Sequence, residues 1–364
     1  MERTKIRDNV STKTKKFEDL LPSDFVHLHA HTYHSLLDGL TKIDALTKSV
    51  KENGMEAVAI TDHGTMSGTI EFYTQAKKDG IKPILGMETY VAARTRFDRD
   101  PNHDKPRYHL TLLAKNEAGW KNLSMLSTKA NLEGMYYKPR IDHDLMKECS
   151  EGIICLSGCA GSEISDALKN DDYEKALEHA KWYKSVYNDD FYLELQDHGH
   201  PDCPNHWDVQ EKINKGLFKI NKELGIPLVV TCDSHYLTHE NQDAHEILLC
   251  VGTGSYLSDE KRMSLKEFDL FVTDPRDIIK RWGKIDPQII LNTKEVADKV
   301  NFEFNFGQIL IPKFPLPEGE VSEKSLLDKL VFRGLAERYA GIERAKADVM
   351  TIEQIRSHLQ PEQI

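Results

Sequence analysis

The sequence predicts an α/β fold whose strands close into a barrel, and three observations carry that prediction. Short apolar runs of strand length alternate with segments of helical periodicity along most of the chain. The alternation repeats about seven times, which implies a mainly parallel sheet. Polar, ligand-type residues gather where the apolar runs end, as they do at the C-terminal rim of a barrel.

The elements follow in order. Phe25-Val26-His27-Leu28-His29 reads as the first strand, and Ile43 to Val50 has helical spacing that stops near Gly54. Ala57 to Ile60 is a buried strand, Gly68 to Lys78 a helix stopped by Gly80, and Pro83 to Val91 the next strand. Tyr108 to Leu113 is another strand. Asn116 caps a helix with Trp120, Leu123 and Leu126 on one stripe. Gly152 to Leu156, Phe191 to Leu195 and Leu228 to Cys232 are further strands. Helices are expected over Tyr173 to Tyr187, Val209 to Leu224 and about Gln242 to Cys250. After Ser264 the pattern changes. Asp274-Pro275 and Asp286-Pro287 mark turns, Ile311 to Pro317 is an extended proline-rich connector, and Ser322 to Tyr339 reads as an amphipathic helix. Met1 to Asp24 reads as a loosely ordered polar leader, and the residues after Tyr339 are polar and weakly patterned.

Composition narrows the class. The 364 residues are 39% apolar and 29% charged, the values of a soluble globular protein with a proper core. There is no apolar run long enough for a bilayer and no apolar signal segment, so a cytoplasmic protein without membrane contact is expected. The net charge of −11 argues against a whole-surface attraction to nucleic acid; any such contact must come from a local basic strip or from cations. Six cysteines in a chain of this length do not make a disulfide framework, and most read as small buried residues.

The ligand-type residues carry the functional reading. His29 and His31 alternate on one strand and so face the same side, as do Asp233 and His235 beyond the last strand. Asp38 follows on the next loop, where Gly39 permits a tight turn. His63, Glu88, His109 and Cys159 each lie in or just after another apolar run. A lone His in a strand is more often a hydrogen-bonded core residue than a ligand. Many ionisable groups at one end of a core are different, because their burial is costly unless they pair or bind metal. Imidazole, carboxylate and thiolate together suit a cluster of divalent ions of the kind that hydrolyses phosphoesters. Asp197, His198, His200, Cys203 and His206 have spacing that could also bind zinc, but Gly199, Pro201 and Pro204 among them favour a solvated loop. His103, His179, His239, His245 and His358 read as surface or packing residues. Lys138 and Arg140 have two readings: guides for a DNA backbone, or residues of a solvated loop.

The segment Phe25 to Gly39 (FVHLHAHTYHSLLDG) resembles the opening motif of the PHP family, the polymerase and histidinol phosphatase domain. AITDHGTMSG at Ala59 to Gly68, GIKPILGMETYVA at Gly80 to Ala92, GMYYKPRID at Gly134 to Asp142, LSGCAGSE at Leu156 to Glu163 and DSHYL at Asp233 to Leu237 resemble, within that family, the PHP domain of bacterial DNA polymerase III alpha subunits. The likeness runs from about Phe25 to Tyr339. It implies a distorted (β/α)7 TIM-like barrel with a proline-rich connector and a helix after it. It also implies up to three divalent ions, Zn2+ or Mn2+. One would take His29, His31, Glu88 and Asp233, which are also the catalytic set; a second would share Glu88 and add His109 and Cys159; a third would use Asp38, His63 and His235. His34 stands where the family has Tyr or Phe, and reads as a packing change rather than an extra ligand.

The domain division that the resemblance implies is a leader over 1–24, a metal-binding barrel over 25–265, a connecting region over 266–310, and over 311–364 a linker with the start of a polymerase core. The palm aspartates of a polymerase are not in the sequence, so this chain alone is not expected to polymerise DNA. The activity implied is 3′–5′ exonuclease proofreading, with primer–template DNA and the other polymerase III holoenzyme subunits as partners. A stand-alone histidinol-type phosphatase and a non-catalytic docking module are the alternatives.

Overall fold

The computed structural model describes residues 15–364, which form two compact units, one ending at Glu303 and the other Phe304–Ile364. The first 14 residues of the expected leader lie outside the described residues. The remainder of that segment is ordered in two 3-10 turns, Phe17–Asp19 and Pro22–Asp24.

The first unit is built on β1 (Ala57–Ile60), β2 (Lys82–Ala92), β3 (Arg107–Ala114), β4 (Met135–Tyr136), β5 (Lys138–Ile141), β6 (Ile153–Leu156), β7 (Phe191–Gln196) and β8 (Leu228–Thr231). β1 pairs with the first half of β2 in parallel, from Ala57↔Lys82 to Ile60↔Leu85. β2 pairs with β3, β3 with β6, β6 with β7 and β7 with β8. The second half of β2 also pairs with β5 at Tyr90↔Arg140, and β4 and β5 form a small hairpin on that edge.

The first expected strand is not a regular one. Phe25 to His31 runs extended, with single bridges His27↔Val58 and Ala30↔Ser234. Two of its amides are taken by side chains, Val26 N donating to Thr293 Oγ1 and Ala30 N to Thr61 Oγ1, while His31 N donates to Ser234 O. The two bridges seat it between β1 and the chain just past β8, so the sheet curls until its ends meet through this segment. Nor is the sheet parallel throughout, because β3 runs antiparallel to both neighbours. No helix intervenes between β2 and β3, and antiparallel neighbours need no crossover. The return loop is tied by a bidentate ion pair from Arg94 to Asp104.

Helix α1 (Ile43–Glu52) precedes β1, helices α2 (Thr69–Asp79), α3 (Glu117–Leu132), α4 (His143–Glu148), α5 (Glu163–Lys169), α6 (Tyr173–Tyr187) and α7 (Asp208–Leu224) lie between strands, and α8 (Gln242–Thr253) follows β8. The expected helices are present; α4, α5 and the β4–β5 hairpin, all short, carried no readable period. α9 (Pro275–Ile278) runs on into a π-helical turn, Ile279–Gly283, before α10 (Pro287–Lys299). α10 lies in the expected connecting region, yet its Val296 and Ala297, with Val300 just beyond, share a buried cluster with Val26, Leu28, Ala59 and Leu156. Asn292 Nδ2 fixes it by donating to Leu228 O at 2.7 Å.

The second unit holds α11 (Glu323–Tyr339), α12 (Arg344–Ala347) and α13 (Ile352–Arg356) around a small core of Ala336, Ala347, Ile355 and Leu359. Among the described residues no helix is long and apolar enough to cross a membrane.

One ion pair fixes the turn that follows β7. Asp197 accepts from Arg281 Nε and Nη2 at 2.9 and 2.6 Å and from Trp282 Nε1 at 2.7 Å, all nearly or fully buried. Removing one partner of such a pair leaves an uncompensated buried charge, so Asp197→Ala is expected to destabilise the barrel by about 3–5 kcal/mol. Urea unfolding of the variant against the parent protein measures it.

Candidate metal centre

The rim where β1, β2, β6, β7 and β8 end is also where the antiparallel β3 begins. This explains His109, which sits near the start of its strand and yet arrives at the same rim as residues placed past the ends of theirs. His29 and His31 come from the bridged segment, His63 from the turn after β1, Glu88 from within β2, Cys159 from the loop after β6, and Asp233 and His235 from beyond β8. Asp38 comes from the loop that follows His31, which folds back so tightly that a Cβ on Gly39 would stand 2.0 Å from Thr32 O. Asp233 has φ of +49°, a left-handed conformation that is costly for a non-glycine residue and recurs at functional sites.

The structure brings all nine predicted positions together. His29 Nε2 and His31 Nε2 are 3.3 Å apart, and Asp233 Oδ1 is 3.2 Å from each. Glu88 completes this group, with Oε1 3.4 Å from His29 Nε2 and Oε2 3.7 Å from His31 Nε2. Ligands about 2.0–2.1 Å from a tetrahedral centre are about 3.3–3.4 Å from one another, so the donor atoms of these four residues lie close to the spacing of a coordination shell. Glu88 Oε1 also lies 3.0 Å from His109 Nδ1 and 3.4 Å from Cys159 Sγ. His63 Nε2 is 2.9 Å from Asp38 Oδ2, and His235 Nε2 is 3.9 Å from Asp38 Oδ1.

The partners behind these side chains leave lone pairs aimed inward. His29 Nδ1–H donates to Glu194 Oε1 at 2.6 Å, which frees Nε2. His31 Nδ1–H donates to Ser35 Oγ at 3.0 Å, and Ser35 donates onward to Asp62 at 2.7 Å. His235 Nδ1–H donates to Asp233 O at 2.7 Å. Conversely, Glu88 Oε2, His63 Nδ1 and Asp38 Oδ1 are buried with no hydrogen-bond partner. Glu88 Oε2 and His63 Nδ1 are 2.5 Å apart without hydrogen-bond alignment. Buried acceptors converging without donors are what a cation satisfies.

Charge leads to the same conclusion. Burial works against the charged form of His29, but Asp233, Glu194 and Glu88 outweigh it and hold its pKa well above the ordinary value. Burial likewise opposes the charge on His63, and Glu88 and Asp38 still push its pKa up to about 10. Burial, then Glu88 and Asp233, pushes the Cys159 thiol well above its usual range. Without a cation the carboxylates therefore keep protons on His29 and His63, whereas burial and the neighbouring His63 and His235 lower the His31 pKa to about 3; a divalent ion would displace those protons and turn Cys159 into a thiolate ligand.

Two sequence expectations are corrected. Arg140 is buried, and its guanidinium donates to the carbonyls of Gly134, Asp104, Arg96 and Asp98. It is a strut inside the β2–β3 loop, not a guide for a DNA backbone and not solvated. Lys138, by contrast, is exposed, with Nζ 5.6 Å from the Tyr90 ring, which itself lies 5.2 Å from the His109 ring. The Asp197 to His206 segment is a solvated loop only in part: Pro201, Asp202 and Pro204 are exposed, but Asp197, His198, His200 and Cys203 are buried, with Arg281 and Trp282 closing over Asp197. Among the described residues its five candidates do not gather into one metal group, since Asp197 is spent on that ion pair and His198 faces the rim; His206 groups instead with Asp208 and Glu211 of α7. His34 packs on Tyr33 and reaches Ser67 and Glu71, away from the cluster.

Sequence reasoning missed two residues. Glu194 is fully buried and accepts from His29, Thr231 Oγ1, Thr111 Oγ1 and Gly158 N, so it orients the first imidazole. A lone Glu inside the apolar run Phe191 to Leu195 was the available signal. His245, read as a surface or packing residue, is buried on α8 with Nε2 unpartnered and 3.6 Å from Asp38 Oδ1.

Residues 27–198 match the family described as PHP domain. The chain is 39% identical over 322 residues to the DNA polymerase III subunit alpha of Borreliella burgdorferi, an alignment covering 88% of this chain and 27% of that protein. It is 39% identical over 329 residues to the same subunit of Treponema pallidum, covering 89% and 27%, and 36% identical over 351 residues to that of Campylobacter jejuni, covering 89% and 28%. The chain thus spans little more than a quarter of the length of the curated relatives it matches.

Proposed function

We propose that this chain, which carries a PHP domain over residues 27–198, is a metal-dependent phosphoesterase acting as a 3′–5′ exonuclease within a DNA polymerase III alpha subunit. The observation that carries the reading is the convergence of nine ligand-type side chains at one rim, four of them at coordination-shell spacing and with their lone pairs turned inward. His29, His31, Glu88 and Asp233 would hold one ion, Glu88 with His109 and Cys159 a second, and Asp38, His63 and His235 a third. Zn2+ or Mn2+ suits this mixture of nitrogen, oxygen and sulfur donors. When bound, such ions acidify water and neutralise charge on phosphoryl oxygens.

The chain's own residues do the rest. Glu194 and the Ser35–Asp62 pair fix the His29 and His31 tautomers, so that no rearrangement is needed when negative charge builds at the rim. Water acidified at such a site needs no separate protein nucleophile, so attack by water is the proposed route. Lys138, exposed beside Tyr90, would meet a phosphate of the incoming strand. Primer–template DNA and the other holoenzyme subunits are the proposed partners, as the relatives' names suggest.

The test is incubation of Mn2+- or Zn2+-loaded protein with end-labelled primer–template bearing a mismatched 3′ end, alongside histidinol phosphate. Stepwise loss of 3′ nucleotides is the expected result. Turnover of histidinol phosphate alone would make the site a small-molecule phosphatase. Turnover of neither by fully loaded protein would leave it a structural module.

A further inference from the structure

We infer that the neutral wall opposite the cluster is a nucleobase pocket, which holds the ring of the nucleotide whose phosphate meets the metal residues; this rests on the phosphoesterase reading above. A single cleft of ≈ 180 Å³ is lined on one side by Asp38, His63, His109, Cys159, Asp233 and His235. Its other side is built differently. Trp207 and Phe268 stack with ring centroids 4.7 Å apart and planes 22° apart, and His198 stacks on Phe268 at 4.8 Å while lying tilted to Trp207 at 6.2 Å. Leu265 and Leu270 extend the wall, and no charged side chain lines that side.

Two polar groups on this wall have nothing to bind. Gln196 Nε2 and His198 Nδ1 are buried without hydrogen-bond partners, and both residues line the cleft. Their positions are held from behind. Asn214 brackets the Gln196 backbone by accepting from its N–H at 3.3 Å and donating to its carbonyl at 2.9 Å. Asp197, clamped by Arg281 and Trp282, fixes the turn that carries His198. Burial lowers the His198 pKa to about 4, so the ring is neutral at pH 7 and offers one donor and one acceptor.

Preorganised, unpaired hydrogen-bonding groups beside an aromatic and aliphatic surface describe a site for a flat, uncharged ring with polar edges. The cleft is smaller than the roughly 300–1,000 Å³ of pockets for drug-sized ligands, so it takes one ring system and not a stacked pair. Stacking on aromatic faces tolerates any base, as removal of whatever nucleotide stands at an end requires. A base can enter only when unpaired, so a frayed 3′ end is favoured over a paired one. An ammonium-bearing substrate gains no carboxylate from this wall.

The test compares the p-nitrophenyl ester of thymidine 5′-monophosphate with methyl p-nitrophenyl phosphate, which lacks the base. The Mn2+-loaded protein is expected to prefer the first by about fivefold or more in kcat/KM, the lower end for stacking one base. Trp207→Ala and the near-isosteric Gln196→Leu should each shrink that ratio through a higher KM for the base-bearing ester. Calorimetric binding of thymidine 5′-monophosphate against methyl phosphate gives a readout independent of turnover, and the same preference is expected there. A ratio near one in the parent protein, in both turnover and binding, overturns the pocket. Preferential binding without hydrolysis of either ester keeps the pocket and overturns the phosphoesterase reading instead.

Discussion

Asp233→Asn is expected to cut hydrolysis by at least about 10³-fold in kcat, the upper end of what one preorganised polar group contributes. The replacement is close to isosteric, and Asn tolerates the left-handed backbone found at this position, φ +49°, so the fold should survive it. What changes is charge. Asp233 Oδ1 sits 3.2 Å from both His29 Nε2 and His31 Nε2, and burial would raise its pKa if His29 and His235 did not hold it far below the ordinary value. An amide in that place offers a weaker oxygen and a donor that faces the imidazole lone pairs. Steady-state rates and elemental analysis of the purified variant check it: loss of turnover together with loss of bound metal is expected. An unchanged rate would place the chemistry at another site.

Glu194→Gln is expected to weaken metal affinity by about 10–100-fold without any change to a ligand. The Glu194 carboxylate accepts from four donors: His29 Nδ1 and Thr231 on one oxygen, Thr111 and Gly158 N on the other. An amide can serve one of these pairs but must present hydrogens to the other. If its oxygen keeps His29, then the Gly158 amide meets a donor, at a cost of about 1–3 kcal/mol for the buried group left unpaired. If its oxygen turns to Gly158, His29 is driven toward the other tautomer and Nε2 is no longer free. Either outcome loosens the first imidazole. Competition with a chelating dye reads the affinity, and thermal unfolding of the metal-free variant separates this effect from simple destabilisation. Equal affinity in variant and parent would mean that Glu194 serves the core alone.

Much of this arrangement was legible because strand burial and ligand chemistry both write themselves into local sequence. His29-Ala30-His31 and Asp233-Ser234-His235 have the alternation that turns two side chains the same way, and apolar runs before them announce the strands. β1 and α6 match their expected spans because each is a clean apolar run or a clean helical stripe. What stayed hidden depends on partners distant in the chain. That Phe25 to His31 makes bridges and not a ladder goes with Thr293 and Thr61 taking the Val26 and Ala30 amides. The reversed β3 is invisible in its own residues, since a buried strand reads alike in both directions. Arg140 looked like a surface cation until the loop of Arg96 to Asp104 wrapped its guanidinium in carbonyls. His245 sits on a helix with no strand-end signature, and only the curl of the sheet brings it within 3.6 Å of Asp38.

The convergence of the rim residues on bound cations is tested most directly by anomalous diffraction from crystals grown with Mn2+. The account predicts a peak enclosed by His29, His31, Glu88 and Asp233, about 2.0–2.3 Å from its donor atoms, with a further peak beside His109 and Cys159. Well-ordered crystals at saturating Mn2+ with no anomalous density among these side chains would contradict it.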